Sequence, residues 1–148
     1  MGNRACVVFT DGREFSPAIY LHWNGGPESV YGFLDALKDY DALGDVPRTA
    51  ARFTQLVGNY FGGTLSLALI PLDDRGWKGA DPGDNGVYLV TLRHGGYTVR
   101  RWSRCTERDA AAVELERAEA YRHPYFTGSP SIRQQIDARC VPAGTEEG

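Results

Sequence analysis

Lysine is nearly missing from this chain: Lys38 and Lys78 are the two, and arginine supplies the rest of its sixteen basic residues. We read that skew as coding bias rather than recognition chemistry. Cysteine is scarce and odd in number, Cys6, Cys105 and Cys140, with no CxxC pair. That excludes a disulfide framework and a zinc ribbon, and it suits reduced thiols in a cytosolic protein. No apolar run approaches the roughly 20 residues a membrane span needs, and Met1-Gly2-Asn3-Arg4 leads into a strand rather than a signal peptide. The expected location is therefore cytoplasmic, with no membrane partner. Phosphate loops GxxxxGK[ST] and GxGxxG are missing, as is the nucleophile elbow GxSxG. The three histidines, His22, His94 and His123, fall at no ligand spacing with the cysteines, so neither a metal nor a cofactor is expected. The segment DPGDNG departs from the calcium-loop pattern and has no distal glutamate, which leaves it a solvated loop.

What is present is ordinary globular material. The 148 residues suffice for one domain with its own core, at 42% hydrophobic and 24% charged. The net charge of −3 argues against a surface given over to nucleic acid but leaves room for a local basic patch. Residues 4–10, RACVVFT, read as a strand, and Asp11-Gly12 as a tight hairpin turn into a second strand from Ala18 to Trp23. Pro27 opens a helix whose core stripe is Val30, Phe33 or Leu34, Leu37 and Tyr40. Asp45 caps a second helix that ends near Phe61 before Gly62-Gly63. LSLALIPL, 65–72, is the expected central strand. After a long polar loop, 73–86, two strands flank a turn at 93–96. Thr106 is then expected to cap a helix over 107–122, with a stripe of Ala111, Leu115 and Ala118, and Ser129-Pro130 opens a short helix containing Ile132 and Ile136. The order ββααβββαα predicts a single α+β domain over 1–143, one antiparallel or mixed sheet of about five strands, and a disordered tail at 144–148.

Four groups of residues invite a functional reading. The break after the second strand, His22-Trp23-Asn24-Gly25-Gly26-Pro27, is either an anion site at a helix start or a joint. The joint is preferred, with the glycines supplying positive φ. Trp23 is expected in the core and His22 at the surface, where a small hydrolase or transferase centred on His22 is the third functional reading. Glu28, Asp35 and Asp39 share one face of the first helix, an acidic ridge suited to a basic, nucleic-acid-handling protein, with Trp77 in the long loop as an aromatic anchor. Arg100, Arg101 and Arg104 with Trp102 form the opposite patch, the alternating basic and aromatic pattern of a single-strand binder.

The segment Tyr20-Leu21-His22-Trp23-Asn24-Gly25-Gly26-Pro27-Glu28, following RACVVFTDG, resembles the N-terminal "Y-x-H-W-D-G-Y-P" segment of uncharacterised small phage, prophage and mobile-element proteins. Here Asn24 replaces the aspartate and Gly26 the aromatic residue. The resemblance covers about the first quarter of the chain and brings no catalytic residue. It implies an accessory gene in a bacterial host, where small acidic proteins act by binding and blocking host proteins, including nucleic-acid-handling defence complexes. The leading expectation is thus a non-enzymatic protein that binds a host protein. A nucleic-acid-binding module is the alternative.

Overall fold

A computed structural model describes residues 2–128 and 130–140. The expected tail at 144–148 and Ser129 lie outside the described residues. One mixed sheet of six strands carries the fold, in the order β3-β2-β1-β4-β5-β6. The strands are β1 Ala5–Thr10, β2 Ala18–Leu21, β3 Leu67–Ile70, β4 Val87–Arg93, β5 Gly96–Ser103 and β6 Thr106–Arg108. The helices are α1 Pro27–Asp39, α2 Val46–Tyr60, α3 Ala110–Ala120, the single turn α4 Pro124–Thr127 and α5 Ile132–Asp137. This is the α+β class, with one strand more than about five.

The centre of the sheet is a parallel seam in which Cys6 to Thr10 of β1 lie beside Val87 to Thr91 of β4. Every other pairing is antiparallel. Both seam strands are buried on two faces, which explains their nearly unbroken apolar sequences. Ala5, Val7 and Phe9 face the helices with Tyr88 and Val90, while Cys6, Val8, Val87 and Leu89 point the other way. On the helix side Phe9 and Phe33 meet Phe53 edge to face, at 5.4 and 6.3 Å between ring centres. Each such buried ring contributes on the order of 2–3 kcal/mol by leaving water.

Local signals account for the helix starts. Pro27 occupies the first turn of α1 and Glu28 adds an acid where the helix dipole favours one. The Asp45 carboxylate caps α2 by accepting the Arg48 N–H at 2.9 Å. The β4–β5 turn places His94 and Gly95 both at positive φ, the twist a two-residue hairpin needs.

Several expectations are corrected. The run 65–72 is not a central strand: β3 covers four residues of it, pairs only with β2, and forms one edge of the sheet. The β1–β2 connection is longer than a tight hairpin, because Asp11 turns the chain by accepting the Arg13 and Glu14 N–H groups and a lone bridge joins Thr10 to Phe15. Thr106 does not cap a helix. It begins β6, formed after a turn in which Arg104 and Cys105 both have positive φ, and Asp109 caps α3 by accepting the Ala112 N–H at 3.0 Å. The stripe Ala111, Leu115, Ala118 is not the inner face either, since Val113 and Ala120 are buried while Leu115 stands in solvent. Nor is 73–86 simply a solvated loop. With Leu72 and Ala80, Trp77 on its short 3₁₀ turn Trp77–Ala80 roofs Cys6, Val8, Ala18, Val87 and Leu89.

At one end of the seam Arg4 holds Asp84 through its backbone N–H and its guanidinium, each at 3.0 Å. Hydrogen bonding from Arg4 lowers the Asp84 carboxyl from about 3.8 to about 2. A carboxyl held down in the folded state favours folding fully above its unfolded pKa, and that contribution is lost as pH falls through the folded value. Asp84→Asn is therefore expected to melt below the parent at neutral pH, with the two melting curves converging as the pH drops from about 4 to about 2. A gap that stays constant through that window would exclude the linkage.

Candidate functional site

The break that resembles the mobile-element segment is built as a joint. Positive φ falls on Asn24, at 58°, and not on the glycines, which corrects the reason expected for them. Gly25 is needed for close approach: it is buried, donates its N–H to Asn3 O at 2.8 Å, and accepts the Tyr88 hydroxyl at 2.9 Å. A β-carbon there would lie 2.5 Å from Asn3 O. At the helix start the chain's own Glu28 carboxylate folds back over Gly26, where an external anion would have to sit. The Asn24 side chain is spent on Ser29 Oγ at 3.1 Å. Trp23 is not a core residue. β2 stops at Leu21, and Trp23 stands exposed with its ring edge to face against half-buried His22.

His22 accepts or donates at Nδ1 to the Tyr20 hydroxyl, 2.7 Å away. Among the described residues the side-chain hydrogen bond it makes is to that tyrosine, and no serine or cysteine is paired with it. Cys6 is sealed under the roof, and burial pushes its thiol up to about 12, so it carries no thiolate at neutral pH. Among the described residues no group of three or more His, Cys, Asp or Glu side chains is arranged to hold a metal ion.

The acidic ridge is divided: Asp35 is drawn inward, whereas Asp39 is exposed. Helices α2, α3 and α5 pack around α1, so the face that spacing assigns to solvent is partly covered. Asp35 binds Arg117 at 3.0 Å and accepts the Tyr97 hydroxyl at 2.6 Å, with the Tyr121 hydroxyl on its other oxygen. Asp39 is tied to Arg133 at 2.6 Å, which also holds Asp137 at 2.9 Å. Glu28 stays at the helix start, half-buried. Asp35 is thus engaged by three side chains, and Asp39 is exposed with Arg133 on it.

The arginine strand divides in the same way. Arg101 points into the helix layer and is buried, where it pairs with Glu116 and donates Nε–H to Asn85 O at 2.9 Å. Arg100 faces the roof, donating to Glu107 at 2.6 Å, and Lys78 reaches the same carboxylate at 2.9 Å. Lys78 lies 4.6 Å above the Trp102 ring, and the Arg100 guanidinium lies 5.5 Å from Trp77. Trp77, Trp102, Lys78 and Arg100 thus interlock with one another around Glu107. Only Arg104 of the four, in the β5–β6 turn, projects from an exposed position without a direct acidic contact.

The structure adds a feature that no motif marked. Between α2 and the β2–β3 edge runs an apolar groove of about 540 Å³, bounded by Phe15, Pro17, Ile19, Pro47, Ala50 and Leu69. Glu14 is the one charged side chain along it among the described residues. Its rim continues into β3, where Leu69 and Ile70 are exposed beside Phe15. Each of these residues looks unremarkable in sequence. The groove exists because the long β1–β2 connection and the start of α2 diverge above a sheet edge.

No helix among the described residues is long and apolar enough to cross a membrane. Comparison with protein-family models, curated proteins and solved structures finds no match to this chain. What the geometry defines is an α+β domain with a network of paired polar side chains and an apolar groove between α2 and the β2–β3 edge.

Proposed function

We propose that this chain is a non-enzymatic binding protein of phage or mobile-element type, acting by docking on a host protein such as a nucleic-acid-handling defence complex. The observation that supports the binding reading is the groove beside Phe15, Pro47 and Leu69, whose size and apolar lining suit an anchoring side chain of a partner. The lining is mainly hydrophobic: Glu14 is its one charged side chain, and the Ser16 and Thr54 hydroxyls on it are donated to Pro17 O and Ala50 O. The ridge residues Asp35 and Asp39 serve this role indirectly, by holding α3 and α5 onto α1. The host-defence setting rests on the resemblance of Tyr20 to Glu28 alone.

The test is affinity capture from bacterial lysate with and without nuclease, comparing the parent with Ala51→Arg. Ala51 is exposed on α2 and lines the groove, so a guanidinium there blocks it without touching the core. A stoichiometric protein that survives nuclease and is lost at least tenfold from Ala51→Arg would support the reading. A partner retained unchanged by that variant would remove the groove from it. Material lost on nuclease treatment alone would favour nucleic acid.

A further inference from the structure

We infer that β3 is the contact between two copies of this chain, which pair antiparallel across a twofold axis at Leu69 and continue the six-stranded sheet into the second copy. This goes beyond the binding reading above; it shares Leu69 with the groove, so the two readings are tested at different residues, the groove at Ala51 and the dimer at Leu69.

Three observations carry the inference. The first is an open backbone. β3 pairs with β2 on one side only, and among the described residues none of Leu67 to Ile70 makes a backbone hydrogen bond outside that ladder. Such an edge is a template for another strand, which natural proteins blunt with charge, proline or shortness; β3 is short and is followed by Pro71, but no charge guards it. Here residues 64–72, TLSLALIPL, carry no charged side chain at all. Leu69 is 61% exposed and Ile70 41%, so large apolar groups stand on both faces of an unpaired strand.

The second observation is self-complementarity. A twofold perpendicular to the sheet keeps the helices of both copies on one face, and it requires a residue to lie opposite its own copy. Centred on Leu69, that register sets Ala68 against Ile70 of the second chain and the reverse, small against large on the roof face. Leu69 meets Leu69 on the helix face. Such direct cross-strand apolar pairs are the unit of sheet stabilisation.

The third is charge and closure. A chain of net charge −3 meets its own copy most easily where neither side carries a carboxylate, and 64–72 supplies that contact. The opposite edge, β6, is Thr106-Glu107-Arg108, with Glu107 already bound to Lys78 and Arg100. Pairing β3 with β6 of another copy would propagate without end, whereas β3 with β3 closes at two.

Sedimentation and light scattering of the full chain should give the mass of two chains at tens of micromolar. Leu69→Lys, which places two ammonium groups opposite each other at the axis, should give one chain at the same concentration with an unchanged circular-dichroism spectrum. The register has its own measurement. In a Cys105→Ser background, Leu69→Cys should cross-link on mild oxidation, since directly opposed strand residues sit about 4.5–5.5 Å apart at Cα, within disulfide reach. Leu65→Cys should not, because in this register it is offset from its own copy by eight residues, about 26 Å along the strand. A parent that remains a single chain at about 0.5 mM overturns the inference. So does a dimer that survives Leu69→Lys, or equal cross-linking at the two cysteines.

Discussion

Glu116→Ala is expected to destabilise the fold by about 3–5 kcal/mol, measured as a shift of the urea midpoint with the slope unchanged. Glu116 projects from α3 into the space between α3, β5 and α1, where it holds Arg101, accepts the Tyr31 hydroxyl at 3.1 Å, and lies 3.8 Å from Arg108. The Arg101 side chain is only 6% exposed and its guanidinium lies 4.9 Å from the Tyr88 ring. Removing the carboxylate leaves that charge with a single backbone acceptor, Asn85 O, in a poorly hydrated site. An uncompensated buried cation costs far more than the pair contributes, so Arg101→Met with Glu116→Leu should recover most of the loss. If the double variant is no better than Glu116→Ala, the cost is packing and not charge.

Gly86→Ala should be equally severe for a different reason. Gly86 has a φ of +79°, and a β-carbon there would lie 2.0 Å from Trp102 O, a backbone atom that cannot swing aside. Its carbonyl also accepts the Cys6 N–H at 3.0 Å, so any shift is passed straight to the β1–β4 seam. Left-handed backbone alone costs an alanine about 1–2 kcal/mol. With the overlap, the expected loss passes about 4 kcal/mol, in the range that only named defects reach. Gly12→Ala separates the two contributions, because Gly12 has a φ of +95° with nothing within 4 Å. It should show the backbone cost and no more.

These two sites also show where sequence reading succeeds and where it stops. The seam strands and the helices α1 and α2 were legible because apolar spacing, Pro27 and the Asp45 cap all agree on the same elements. The edge position of β3 was not, since an apolar run does not say how many neighbours a strand has. Helix α3 was misread because its inward face is Val113, Glu116, Arg117 and Ala120, so that charged residues occupy two of the four inward positions. No hydrophobic pattern can reveal a face whose burial depends on charged and hydroxyl partners on other elements, from Arg101, 15 residues from Glu116, to Tyr31 and Asp35, more than 80 residues away. Helical spacing alone puts Asp35 toward solvent on the same grounds, and Tyr97, Tyr121 and Arg117 come to it only in three dimensions. The groove was invisible because it is a gap between elements and not a property of any one of them.

The parallel seam has a consequence for how the molecule opens. β1 to β3 with α1 and α2 form one local unit, β4 to β6 with α3 form another, and the sole strand pairing between them joins Cys6 to Val87 and runs to Thr10 and Thr91. β1 and β4 are each the edge strand of their own unit, and each becomes an interior strand by pairing with the other. Amide hydrogen exchange should therefore divide sharply: the amides of the β6 edge exchange through local fraying, while those of Val7, Val8, Leu89 and Val90 wait for the whole domain to open.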